Sequence, residues 1–166
     1  MDIYPIIIVQ LTTKYEEIRT TLLKAITQLS NEQLNWRPNS ESNSISNLVM
    51  HIAGNINQRI GSGILGLSDR RNRDEEFDSE IFVAKDQIIV IVEESFDLLV
   101  KTTRELNRED LLRTQKIRGN SKSIYEVLQQ CATHYSEHLG QILYIAKMCL
   151  GSEYNTTSIY GKNLKK

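Results

Sequence analysis

The chain is poor in the residues that interrupt or cross-link a fold. Its 166 residues include two prolines, eight glycines and two cysteines. So few breakers leave room for long uninterrupted helices and exclude collagen-like or low-complexity classes. Two cysteines cannot build a disulfide framework. Cys131 and Cys149 fall on one helical stripe, and eighteen residues of helix would separate them by about 27 Å, too far to pair. Both are read as small buried hydrophobes. No run approaches the ~18 apolar residues of a membrane span. The apolar start, Ile3-Tyr-Pro-Ile-Ile-Ile-Val9, lacks the basic flank and small-residue cleavage site of a secretion signal, so the expected location is cytoplasmic. Charge of one sign is missing too. A formal net charge of −1 gives no electrostatic reason to expect nucleic acid or an anionic membrane as partner.

What is present is helical periodicity. Four long patterns are predicted, at about 5–28, 45–66, 79–105 and 123–150. The first places Leu11, Tyr15, Ile18, Leu22, Ala25, Ile26 and Leu29 on one face, and the third runs from Ile81 to Leu106. Within the third, Ile88-Ile-Val-Ile-Val92 has the composition of a strand, but helical spacing on both sides makes it helix. Ser123-Ile-Tyr-Glu126 is a capping-box signature opening the fourth. A single all-α domain over 1–166 with four long helices follows. Between the second and third lies Asp69-Arg-Arg-Asn-Arg-Asp-Glu-Glu76, whose mixed charges read as a solvated loop.

The two halves also resemble each other. Leu29-Ser-Asn-Glu-Gln-Leu34 matches Leu106-Asn-Arg-Glu-Asp-Leu111, and each is followed by a polar linker and a Ser-Ile pair, at Ser44 and Ser123. Two helical hairpins related by a pseudo-two-fold are expected. From those serines, His51 lies seven residues on and His134 and His138 lie eleven and fifteen on. Steps of four put all three on equivalent faces.

These are the chain's three histidines. His134 and His138, four apart, stack on one face of the fourth helix, along the edge of the stripe Ile124, Leu128, Cys131, Tyr135, Leu139, Ile142. His51 borders the stripe Ile45, Leu48, Val49, Ile52, Ile56 of the second. Three neutral imidazoles on a divalent ion leave a coordination position open, the pattern of catalytic rather than structural sites. Their nitrogens are then expected within about 4 Å of one another. Glu137 precedes His138 and points ~100° away, towards solvent. Asn55 and Gln141 lie a turn or less from the histidines, where each is either an orienting group or an ordinary surface amide. Nothing in the chain forms a hydrolytic triad or a phosphate loop.

The segment Leu29-Ser-x-Glu-x-Leu-x-Trp36-Arg37-Pro38, the Ser44-Ile-x-x-Leu-x-x-His51-Ile-Ala opening of helix two, and His134-x-x-x-His138 together resemble the DinB-like (YfiT-like) superfamily of metal-dependent enzymes. The resemblance covers essentially the whole chain, and the tail Tyr154–Lys162 looks like that of an uncharacterised bacterial subgroup, with Tyr160 where that group has proline and arginine. It implies a four-helix bundle with a long connection between helices two and three, which fits the charged loop, and a nickel or zinc ion on His51, His134 and His138. It also implies a small-molecule substrate, a low-molecular-weight thiol in the transferase members or a hydrolysable compound in others. Members of that superfamily are often homodimers, and Ile6-Ile-Ile-Val9 covers more than one helix face, which suggests a second contact surface; the alternative is that this segment caps the end of the bundle. The competing reading is a non-catalytic metal-binding or stress-associated binding protein.

Overall fold

The computed structural model describes residues 2–157. Its long helices are α1 (Tyr4–Ile26), α3 (Ile45–Ile56), α5 (Lys85–Glu105) and α7 (Ile124–Leu150). Short helices α2 (Asn31–Asn35), α4 (Arg73–Glu76) and α6 (Arg108–Leu112) punctuate the connections. The fold is the expected four-helix bundle. Each of α1 and α3 packs against both α5 and α7, so the periodic stripes of all four meet in one core. Tyr15, Ile18, Leu22, Ile52, Ile88, Phe96, Leu128 and Tyr135 are sealed within it. The two core tyrosines keep their hydroxyls satisfied: Tyr15 donates to the Leu128 carbonyl at 2.8 Å and Tyr135 to Asn55 Oδ1 at 2.9 Å.

The internal likeness of the two halves reappears in the elements. Each half has a long helix, a short capped helix (α2 behind Ser30, α6 behind Asn107) and a serine capping box opening the next long helix. At Ser44 and Ser123 the hydroxyl accepts from the amide three residues on, and the side chain there reaches back to the serine amide.

Three departures from the sequence expectation matter for the site. The second helix does not run regularly to residue 66: after Ile56 it widens into a π-helical turn over Asn57–Ser62, where the Gly63 and Leu65 amides donate five residues back to Gln58 and Ile60. The linker before α7 is an antiparallel hairpin, β1 (Thr114–Ile117) with β2 (Asn120–Ser123), in register Gln115 to Lys122 and Ile117 to Asn120. Its two-residue turn has both residues at positive φ, Arg118 at 49° and Gly119 at 83°, the geometry favoured in tight hairpins. Lastly, the third long helix begins at Lys85, not at about 79. Of the tail, Tyr160 and its neighbours lie outside the described residues.

Candidate metal centre

His51 is buried midway along α3, while His134 and His138 occupy successive turns of α7, half-buried on the face that meets α3. The three histidines do converge. One ring nitrogen from each lies within 4.8 Å of the other two, and the His51 and His134 Nε2 atoms are 3.1 Å apart. The spread is wider than the ~4 Å expected. Ligands ~2.1 Å from a tetrahedral ion lie ~3.4 Å apart, so the widest pair has to close by about 1.4 Å to hold one.

The hydrogen bonds decide which nitrogens point inward. His51 Nδ1 lies 2.8 Å from Glu76 Oε2, and a carboxylate only accepts, so Nδ1 carries the proton and Nε2 the lone pair. His138 Nδ1 likewise donates to Gln141 Oε1 at 2.8 Å. This leaves His138 Nε2 buried with no hydrogen-bond partner among the described residues. A buried lone pair left unpaired costs about 1–3 kcal/mol, and a cation is what would satisfy it. Carboxylate-oriented imidazoles are the usual outer support of a metal ligand. The donor set therefore fits a divalent ion.

Electrostatics agree with that fit. Burial, then the neighbouring His138 and His51, push the His134 imidazole down to about 4. Burial also lowers His51, partly opposed by its bond to Glu76. Both rings are thus neutral at pH 7, the form that ligates metals.

Glu76 corrects the reading of the charged run as a solvated loop. The run folds back as α4, and its last residue is only 5% exposed. Arg71 grips the same carboxylate through Nε at 2.6 Å and a terminal nitrogen at 2.8 Å, and its other terminal nitrogen donates to Gln58. Mixed charge here is an internal ion pair behind His51, not a hydrated surface. Gly54 makes room for it, since a methyl group at that position would run into Glu76 Oε1. A second clamp holds the connection in place: buried Asn47 donates to the Glu76 and Asp78 carbonyls and accepts from Arg37. Arg37 of the Trp36-Arg37-Pro38 segment thereby ties the loop before α3 to the loop that delivers Glu76. Phe77 then lies against the His51 ring, centroids 4.8 Å apart.

The two amides singled out from sequence divide. Gln141 supports His138, whereas Asn55 is committed to the Tyr135 hydroxyl. Glu137 is largely exposed and 3.9 Å from His134 Nδ1, too far for a hydrogen bond. Beside the histidines opens a groove of about 1010 Å³ walled by α3, its π-helical turn, the hairpin and α7. Cys131 lines it, but burial pushes its thiol up to about 11.

With this geometry in view, a family model described as a protein of unknown function, DUF1572, matches residues 7–163. The chain belongs to the DUF1572 family. Its fold is DinB-like. The crystal structure of a DinB-like protein from Bacillus subtilis (YjoA) aligns with a TM-score of 0.68 at 18% identity, covering 89% of this chain and 96% of that one. A DinB-like protein from Bacillus cereus aligns with a TM-score of 0.67 at 16% identity, covering 84% and 90%. Among curated proteins, none matches. No helix of this DUF1572 protein's described residues is long and apolar enough to cross a membrane.

Proposed function

We propose that this DUF1572 protein is a metal-dependent enzyme that uses His51, His134 and His138 to hold one divalent ion, nickel or zinc, and acts on a small molecule in the adjoining groove. The reaction class is transfer of a low-molecular-weight thiol to an electrophile, or hydrolysis of an activated ester or amide. The buried His138 Nε2, which has no hydrogen-bond partner among the described residues and lies beside two neutral imidazoles, is the observation that carries this reading. When bound, the ion supplies Lewis acidity, which lowers the pKa of a thiol or water that it contacts.

The chain's own residues do the rest. Glu76 and Gln141 fix the ring tautomers so that each Nε2 keeps its lone pair. Phe77 covers one side of His51, and His51 and His134 both border the groove. Among the described residues that line the groove, the one thiol is poorly suited to attack. At a pKa of about 11 the Cys131 thiol stays protonated at pH 7. The attacking group therefore enters from solution, as a thiol or as water. A reducing, cytoplasmic setting suits two cysteines that both remain free thiols.

Assembly as a homodimer through the start of α1 is part of the proposal. Ile6 and Val9 are 41% and 61% exposed on the single chain, an apolar surface left uncovered by the bundle. The function is tested with metal-loaded protein, offered glutathione, cysteine or bacillithiol with an aryl halide electrophile, and separately p-nitrophenyl esters. Metal-dependent turnover lost in His138→Ala is expected. If no substrate turns over and chelation only lowers the melting temperature, the ion is a structural staple and the protein is a binding protein.

A further inference from the structure

The groove beside the histidines is far more basic than the chain that forms it. Six cationic side chains line it, Arg59, Arg71, Arg73, Lys116, Arg118 and Lys122, against two acids, Asp69 and Glu137. The whole protein carries a formal charge of −1, so this is local concentration and not general basicity. Two of the six are occupied, Arg71 by Glu76 and Arg73 over the Phe77 ring. The other four form no ion pair among the described residues.

Arg59 is the most telling of them. It is half-buried, and its guanidinium has no hydrogen-bond acceptor among the described residues. Burial lowers its pKa foremost; the nearby Cys131 and Tyr135 oppose that shift, and Arg118 and Arg71 add to it by repulsion. A half-buried charge beside like charges is stabilised by an anionic partner. Its backbone is also unusual, because it sits in the π-helical turn Asn57–Ser62, a geometry concentrated at functional sites.

The opposite wall repeats the theme. Arg118 occupies a left-handed turn position where asparagine or glycine would fit with less strain. In the hairpin register Gln115 and Lys122 face each other, and Lys122 is half-buried in the groove. The two walls are joined: the Gln115 amide donates to the Arg59 carbonyl at 3.3 Å, and its oxygen lies over Gly63, where a Cβ would collide with it.

We propose that Arg59, with Arg118 at the hairpin tip, binds an oxyanion of the substrate, a carboxylate or phosphate group, on the wall of the groove next to the three histidines. The inference rests on the reading of the histidines as the reacting centre and names the class of molecule presented to them: a small anionic compound whose charged end is anchored at Arg59. Guanidinium pairs with both kinds of oxyanion through two parallel hydrogen bonds, so the shared chemistry is a planar fork to oxygen.

The test uses the full chain treated with chelator, titrated at low ionic strength with succinate and, separately, with inorganic phosphate, followed by calorimetry and by NMR shifts of arginine side-chain resonances. At least one should bind saturably, weaken with added salt, and lose about tenfold or more in Arg59→Gln, the loss expected when a charged hydrogen bond is removed. Arg118→Asn should also weaken binding while keeping or raising the melting temperature, because asparagine suits that turn position. This separates lost binding from lost folding. Succinate binding alone identifies a carboxylate site and phosphate binding alone a phosphate site, and either supports the anchor. No saturable binding of either anion, or binding unchanged in Arg59→Gln, overturns it. Zinc titration of the same samples tests the histidine reading separately, since Arg59→Gln should keep its zinc affinity. Zinc affinity lost together with anion binding would make Arg59 a support of the metal centre and overturn the anchor.

Discussion

Replacing Glu76 by alanine removes one carboxylate and disturbs two functions at once. The Glu76 and Arg71 side chains are 6% and 8% exposed, so the variant leaves a guanidinium buried without its counter-charge. Removing one partner of such a pair costs about 3–5 kcal/mol. For a domain of this size each kcal/mol lowers the melting temperature by about 2–4 °C, giving a drop of roughly 6–20 °C in metal-free protein. His51 also loses the acceptor that fixes its tautomer, which should weaken zinc binding by about 10–100-fold, or about 1.4–2.7 kcal/mol. Differential scanning calorimetry reads the first effect and competition with a chromogenic chelator reads the second. The double variant Arg71→Met/Glu76→Leu separates them. With no charge left buried, it should recover most of the stability but none of the zinc affinity. If Glu76→Ala instead melts within about 2 °C of wild type and binds zinc unchanged, the buried ion pair behind His51 does not exist, and the account of the site's support is wrong.

Other perturbations probe the same arrangement. Alanine for glycine inside a helix usually gains about 0.5–1 kcal/mol; Gly140→Ala, whose new methyl meets nothing, should show that gain as a higher melting temperature. Gly54→Ala should not, because its methyl displaces Glu76, and its zinc affinity should fall as well. In metal-free protein the folded His134 pKa, about 4, lies below the ordinary 6.5, so the unfolded chain protonates first as the pH drops. Stability present above pH 6.5 should therefore be lost on acidification towards pH 4, and His134→Gln should flatten that part of the melting curve against pH; a wild type that gains stability over this range contradicts the burial of the ring. Sedimentation at micromolar concentration should give a dimer that Ile6→Glu/Val9→Glu converts to monomer, whereas a monomeric wild type removes the assembly proposal.

Much of this was legible in the chain before folding. The histidines were visible because helical period is local: four residues apart on one helix means one face, and matching offsets from Ser44 and Ser123 place His51 opposite. The stripes of Ile and Leu gave the bundle for the same reason. Glu76 was hidden because its role is non-local. It lies 25 residues from His51, inside a run whose mixed charges look hydrated until Arg71 is seen to neutralise it. The only cue was Phe77, an aromatic ending an otherwise polar run. The hairpin was masked by its polar strands, although Arg118-Gly119 between two four-residue segments was a usable turn signal. The π-helical turn at Asn57–Ser62 left no periodic trace, since Ile52, Ile56, Ile60 and Ile64 recur in steps of four, which suit a regular helix and a widened turn alike.

The central claim is that His51, His134 and His138 hold one metal ion, and the most direct measurement is metal stoichiometry with ligand identity on purified full-length protein. Native mass spectrometry after zinc or nickel loading should give one ion per chain, and X-ray absorption should show three imidazole nitrogens with lighter, exchangeable atoms completing the shell. His138→Ala should lose the ion while its helical content and cooperative unfolding persist, because the core is built from aliphatic and aromatic side chains to which the histidines are peripheral. A chain that takes up no stoichiometric metal, or one that keeps it with full affinity in His138→Ala, would contradict the account.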